Sequence, residues 1–418
     1  MSEIQALRRT EVEQNDGTLP RGDQQNQPAG EISPLPGLSY YAGIFLTSGA
    51  VLLFELALTR IFAVVLWAHL AFMVVSTALF GFGLSGVYLA LRSHATVRSR
   101  PLSLSMLCLV LTAAMIGAYL TITNIPFRMW QFHQSSANYF YLALWYTALV
   151  VPFFFAGLLI ARLLSAFPRR SARLYGFDLL GAACGALLLI PVISAFGGVG
   201  TAVFAALLAA LSGLCFLHRS QKITAALLVC AALMLGAILP QAEQVLPLKY
   251  HQNKRRYNRA VQAGHIYETR WSPISKVDVA FHKDNVYDLW IDGGTNESAI
   301  FRWSGDEENL KPMTFSSIGL VHNLRRGTSP QVMIIGPAGG KEVLFALSHG
   351  ARHVDAVELD PSIVKFVESS PYKEFMGGLY QKERVTLTND EGRSFLRRKP
   401  KQHYDIIQFV NNYTPVAI

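Results

Sequence analysis

The sequence predicts a polytopic α-helical membrane bundle followed by an α/β region with a doubly wound parallel sheet. Three observations carry that fold class. Hydrophobic residues make up 51% of the chain and charged residues only 16%, too apolar a balance for soluble domains alone. Apolar runs of membrane-crossing length fill residues 38–240. Beyond Pro240 charged residues become frequent, and short strand-like and helix-like segments alternate.

Residues 1–37 are rich in Gln, Asn, Asp, Glu, Gly and Pro and lack an apolar core, so a disordered tail is expected there rather than a signal peptide. The runs 38–58, 68–91, 102–122, 139–161, 175–195, 199–217 and 223–239 are each close to the length a helix needs to cross hydrocarbon, which predicts about seven spans in a lipid bilayer. Trp67, Trp130, Tyr139, Tyr141 and Trp145 lie near run ends, where aromatic rings meet lipid headgroups. Glu55, Arg60, His69 and Asp178 are ionisable groups in or beside these runs, costly in lipid unless paired or facing a polar cavity. A structural pair between Glu55 and Arg60 is the favoured reading, ahead of a polar path among the helices. Cys108, Cys184, Cys215 and Cys230 all fall inside apolar runs without metal or redox spacing, and are read as small core residues.

A basic linker is expected at 241–262, a small antiparallel β subdomain at 263–330 and an α/β domain at 331–418. In the β subdomain, 276–281 and 285–292 have strand character, and Asp292-Gly293-Gly294 is turn chemistry. From Gln331 strands are predicted at 332–335, 354–358, 385–388 and 404–409, with helices at 341–348, 361–368 and 392–398. Such alternation gives a parallel sheet whose ligands bind beyond the carboxyl ends of the strands. Gly336-Pro337-Ala338-Gly339-Gly340 follows the first of these strands, where a glycine-rich turn admits a ligand close to the backbone at a helix N-terminus; a tight turn without a ligand reads equally well. Glu358 ends the second strand, the position from which a carboxylate grips both ribose hydroxyls of a nucleoside. Asp390 and Glu391 follow the third and could face an adenine amine, with a helix N-cap as the alternative for Asp390. The first turn lacks the Gly-x-Gly-x-x-Gly spacing of dinucleotide oxidoreductases. His251, His265, His282, His322, His349, His353 and His403 are scattered without metal-ligand spacing, so no metal is expected. Tyr404 and Asp405 are read as strand-end packing.

The segments Ile335-Gly336-Pro337-Ala338-Gly339-Gly340-Lys341-Glu342-Val343, Val357-Glu358-Leu359-Asp360-Pro361, Glu391-Gly392-Arg393-Ser394-Phe395-Leu396 and Tyr404-Asp405-Ile406-Ile407-Gln408 together resemble the spermidine synthases (polyamine aminopropyltransferases), in particular bacterial membrane-embedded versions with a helical N-terminal region. Leu289-Trp290-Ile291-Asp292-Gly293 is similar to the strand and turn preceding the nucleotide fold in that family. The resemblance implies binding of S-adenosylmethionine or its decarboxylated form as co-substrate. Gly336, Gly339 and Gly340 would line the nucleoside, Glu358 would hold the ribose and Asp390 or Glu391 would face the adenine. It also implies aminopropyl transfer to a small-molecule amine or a lipid-soluble acceptor. The chain departs from the family in two places. Val410 stands where the family has a proton-accepting aspartate, so no catalytic residue is assigned. The sheet is expected to be cut short near Ile418, which reads either as an incomplete gene product or as a fold finished by a copy of the chain or another polypeptide. A non-catalytic transport or sensing protein with a ligand-binding nucleotide fold is the competing reading.

The net charge of +9 is read as membrane topology, with no nucleic acid as partner. Arg92, Arg98 and Arg100, then Arg162, Arg169, Arg170 and Arg173, then Arg219 and Lys222, fill alternate loops and mark them as cytoplasmic. Seven spans would then leave the α/β region outside, whereas the basic stretch 249–259 and a nucleoside made in the cytoplasm place it inside. A miscounted span, or one run that is re-entrant, would reconcile the two, with 61–67 as the segment in question. The expectation is an integral protein of a bacterial inner or plasma membrane with its soluble region in the cytoplasm.

Overall fold

The computed structural model describes residues 36–66, 68–93, 103–125, 136–251, 254–283, 286–304, 319–325, 327–401 and 403–409, with backbone alone at 68–70, 93 and 281–283. The expectations for the N-terminal tail, Trp67, Trp130, the His69 side chain, Val410 and the region beyond it lie outside the described residues. From Pro36 onward the chain forms one compact unit.

The N-terminal region is built of helices α1 (Leu38–Val65), α2 (Ala68–Ser93), α3 (Leu104–Asn124), α4 (Ala137–Ala166), α5 (Ser171–Cys215) and α6 (Lys222–Ile238). Six helical segments among the described residues are long and apolar enough to cross a membrane. The fifth turns back on itself. Gly197 leaves helical geometry at φ 70°, ψ −176°, a region open to glycine. On one side of it Gly181 and Gly185 meet the α1 backbone at Phe45 and Gly49, and on the other Ser212 bonds to Thr47 (2.6 Å) and to the Gly43 carbonyl (2.7 Å). Residues 178–185 and 212 therefore lie at the same height on α1, and α5 is a helical hairpin with Gly197 at its tip. The two sequence runs at 175–195 and 199–217 are its two arms.

The closest helix contact follows from residue size. A Cβ at Gly181 would lie 2.2 Å from the Phe45 carbonyl oxygen, and one at Gly185 would lie 2.3 Å from that of Gly49. The Gly-x-x-x-Gly spacing of 181 and 185 lets backbones touch where bulk would hold them apart. Phe54, Leu58, Phe62, Leu111, Met115, Leu149 and Phe153 fill the shared core around α1.

Beyond α6 come α7 (Ala242–Val245) and α8 (Arg255–Gln262), both within the stretch read as linker. Strands β1 (Ile266–Trp271), β2 (Lys276–Lys283), β3 (Val286–Ile291) and β4 (Asn296–Phe301) form an antiparallel meander in that order. After α9 (Leu320–Leu324), a second sheet alternates β5 (Gln331–Ile335), α10 (Lys341–Ser348), β6 (His353–Glu358), α11 (Pro361–Glu368), α12 (Tyr372–Phe375), β7 (Val385–Asn389), α13 (Gly392–Arg397) and β8 (Ile406–Phe409). Its pairs are all parallel and its order is β7-β6-β5-β8. The strand order reverses direction between β5 and β8, which opens a ligand crevice at the carboxyl ends.

Strand β2 separates two environments because its side chains alternate. Val277 and Val279 enter the α/β core with Leu289, Ile300, Val332 and Ile334. Lys276 and Asp278 point the other way, into a polar junction with the helical bundle. There Lys276 is in contact with Asp278 and donates to Tyr257 (2.9 Å), whose hydroxyl donates to Asp278 (2.7 Å). Burial pulls the Lys276 amine down, and Asp278, together with Tyr250 and Glu243, more than offsets this, holding it above its ordinary value. Lys254 donates to the Val64 carbonyl at the end of α1 (2.5 Å), to the Asp292 carbonyl (2.6 Å) and to Thr295 (3.0 Å). Arg60, buried in α1, faces Asp292 at 4.0 Å. The expected Glu55–Arg60 pair is therefore not made; five residues on a helix are turned by about 140°, and Arg60 looks to the α/β region instead. Asp178 takes a hydrogen bond from Ser48.

Two outcomes test this packing. Gly185→Leu forces side-chain bulk between touching backbones and should cost at least about 1–3 kcal/mol, read as a lowered thermal midpoint in detergent. For Lys254, burial, partly offset by Asp292, pushes the amine down to about 7. The unfolded chain, with an ordinary lysine near pH 10.4, then binds the extra proton between those values, so Lys254's contribution makes stability rise with pH across that window. Melting curves at pH 7 and pH 9.5 should show this rise in the parent and a smaller one in Lys254→Met; equal slopes in both would refute it.

Candidate functional site

The glycine turn takes its shape from backbone geometry that few residues tolerate. Gly336 (φ 67°) closes β5 by donating to the Val357 carbonyl (2.8 Å), and Gly340 (φ 85°) donates to Pro337 (2.8 Å) and starts α10. Gly339 is required for a different reason. A Cβ there would lie 1.9 Å from the Ala299 carbonyl oxygen, so β4 runs directly against the turn. The close approach read from sequence as room for a ligand is, at this glycine, made by the chain's own strand.

Glu358 lies across the turn at the carboxyl end of β6, 6% exposed. Its Oε2 accepts from the Ala338 N–H (3.2 Å) and its Oε1 from the Asp360 N–H (3.0 Å). Burial pushes its carboxyl up to about 7, against the pull of these two N–H groups. Tyr380, buried beside it, donates to the Ala338 carbonyl (3.1 Å) and pins the turn from the other side. Gly336, Gly340 and Glu358 are thus gathered at one edge of the sheet.

Asp390 joins that edge through its backbone, donating to the Glu358 carbonyl (3.0 Å). Its carboxylate pairs with Arg398 and accepts from the Glu391 N–H. Glu391, and not Asp390, caps α13, taking hydrogen bonds from Arg393 and Ser394 (2.8 Å each). Those bonds hold its carboxyl below the ordinary range. Gly392 packs against Ile335, tying α13 to the end of β5.

A second feature escaped the sequence because its parts are far apart in the chain. A cavity of about 620 Å³ opens between the α5 hairpin tip (194–197), the segment 240–244, the end of β1 and the start of α11. Glu243, Arg270, Trp271, Ser362 and Lys365 line it. Glu243 Oε1 and the Trp271 indole N–H both converge on Gly197, buried and outside hydrogen-bond geometry. Asp360 joins cavity to turn: its N–H binds Glu358, while its carboxylate caps α11 and accepts from Ser272 and Ser275. The run Glu358-Leu359-Asp360-Pro361 is the sequence signal that links the two. Among the described residues no group of His, Cys, Asp and Glu is arranged to hold a metal ion.

No family model matches the chain, and no curated protein matches it. Among solved structures it is similar to spermidine synthase from Thermotoga maritima, at 17% identity and a TM-score of 0.26. A spermidine synthase in complex with the transition state analogue AdoDATO matches with the same identity and TM-score. Each match covers 34% of this chain, and the chain spans under half (46%) of those structures.

Proposed function

We propose that this protein is an integral membrane protein whose α/β region binds the nucleoside of S-adenosylmethionine or of its decarboxylated form, as a spermidine-synthase-like transferase would. The observation that carries this reading is Glu358, a buried carboxylate facing the Gly336–Gly340 turn at the carboxyl edge of a parallel sheet. A ribose offers two hydroxyl donors to such a carboxylate, and charge-assisted bonds of this kind are the strong ones. Asp390 lies at the next strand end, within reach of the same edge through its bond to Glu358.

The cavity beside Asp360 is the proposed place for the acceptor. Its mixed lining of Glu243, Trp271 and Lys365 suits a polar amine, and its hairpin wall joins the apolar helices from which a lipid-soluble acceptor would arrive. In a transfer reaction the amine attacks the carbon next to the sulfonium, methylthioadenosine leaves, and the amine's proton passes to a base. Val410 at the expected aspartate position favours the second reading, a membrane protein that binds the nucleoside without chemistry.

Calorimetry with the detergent-purified chain separates these readings. S-adenosylmethionine, its decarboxylated form and methylthioadenosine should include at least one ligand whose affinity Glu358→Ala lowers by more than about 100-fold, the loss expected from two charge-assisted bonds. Because the ionised carboxylate accepts the ribose hydroxyls and burial sets its free-state value near 7, affinity should rise about tenfold from pH 6 to pH 8; Glu358→Gln should abolish that dependence. No binding by any of the three would sink the proposal. Ser194→Trp, placed at the exposed hairpin tip in the cavity wall, should leave nucleoside affinity unchanged and abolish transfer to an added amine. Binding with no transfer to any acceptor, in the parent chain, would leave the non-catalytic reading.

A further inference from the structure

The two ends of the helical bundle carry opposite kinds of surface. At the end away from the α/β region, Tyr40 at the start of α1 stacks on Phe167 (5.3 Å) and Phe216 (5.8 Å), which sit in the α4–α5 and α5–α6 connections. Ser105 at the start of α3 donates to Gln221 before α6 (2.9 Å). At the other end Val65 accepts from His251, Tyr119 donates to Leu246, and Gly197 meets Trp271. The far end is thus where α1, α3, both arms of α5 and α6 have the termini most distant from the nucleoside turn.

Seven described cations belong to that far end: Arg92, Arg162, Arg169, Arg170, Arg173, Arg219 and Lys222. No aspartate or glutamate occurs in the segments 92–104, 162–177 and 216–222 that carry them. Of the basic residues that follow α6 at the other end, Lys249 donates to Asn124 (2.7 Å), Lys254 is buried on α1 and Arg256 pairs with Asp288 (3.1 Å) and Glu297 (2.6 Å), while Arg255 and Arg259 are exposed. Because α5 makes two passes, the described helices make seven passes, an odd number, and residues 61–65 belong to α1, which runs unbroken from Leu38 to Val65.

We propose that this arginine-rich end docks on the anionic headgroups of the cytoplasmic leaflet, and that the α/β region bearing Glu358 faces the opposite, extracytoplasmic compartment. Short loops rich in Arg and Lys are retained on the cytoplasmic side, where anionic lipid attracts them. This inference rests on the membrane placement proposed above, and it reverses the side expected for the soluble region. Any nucleoside used there must be supplied on the outer face by export or by a reaction that releases it there.

Single added cysteines give the test in the full chain. Ser220→Cys marks the far end and Thr328→Cys the α/β region, both at exposed positions. In spheroplasts of a bacterial host, a membrane-impermeant maleimide should label Thr328→Cys above the parent's background at once, and Ser220→Cys only after permeabilisation. Labelling of Ser220→Cys in intact spheroplasts, or of Thr328→Cys only after permeabilisation, would overturn the assignment. Replacing Arg169, Arg170 and Arg173 by glutamate should let part of the chains insert the other way, so that Ser220→Cys gains label in intact spheroplasts. Release of the chain by alkaline carbonate would strike the membrane placement itself, independently of which cysteine reacts.

Discussion

The amine of Lys254 and the guanidinium of Arg60 bind the bundle to the α/β region, and the remaining architecture depends on that joint. Lys254 spans the Val64 carbonyl, left unpaired where α1 ends, and the carbonyl of Asp292 in the β3–β4 turn. Arg60, from the same end of α1, brings its charge to the Asp292 carboxylate. Charges so deeply buried gain little net stability as pairs, but removing one partner leaves the other stranded at a cost of several kcal/mol. Their effect is to fix orientation. In this arrangement a helix end and a β-turn from distant parts of the chain bring Arg60 to Asp292, Lys254 to two carbonyls and Lys276 to Asp278.

Small residues complete what the charges begin. Gly181 and Gly185 let α5 lie on the α1 backbone, Gly197 turns the chain, and the tip so formed meets Trp271 and Glu243 at the edge of the α/β region. A side chain at Gly197 would strike Glu243 Oε1, so the hairpin can end only where the cavity begins. The dimensions of the cavity thus follow from helix packing within the bundle as much as from the sheet that forms its floor.

The long apolar runs and the strand–helix alternation were legible because each depends on local composition and periodicity: all the predicted strands and helices from Gln331 onward recur, with β8 beginning two residues later than its predicted start. The joining of Gly336, Gly340 and Glu358 was legible too, since in a parallel sheet successive strand ends share one edge. What could not be read were features set by residues distant in sequence. Arg60 was paired with Glu55 because they are near in sequence, yet helix geometry turns them apart. Gly339 carried the mark of a ligand site but answers to β4, a strand whose register against the turn has no local signature. Lys276 and Asp278 look like ordinary alternating polar residues of a half-exposed strand until the bundle covers that face. Glu391 took the capping role that Asp390 was equally suited to, because its side chain reaches two N–H groups of α13 while Asp390 is drawn to Arg398.

A continuous line of packed groups joins the end of α1 to the glycine turn. Arg60 and Lys254 hold the Asp292 turn, and that turn leads directly into β4. The Ala299 carbonyl of β4 presses on Gly339, and the same turn presents the Ala338 N–H to Glu358. The links are a buried charge pair, hydrogen bonds between side chains and backbone, and one close approach of backbone to backbone, contacts that cannot shift without being remade. A shift of α1 along its axis would therefore either break the joint at Asp292 or move β4 against the glycine turn, changing the hydrogen bond on which the Glu358 carboxylate depends. A displacement of α1 would thus reach the carboxyl edge of the parallel sheet through this line, which makes the α/β region an extension of the bundle.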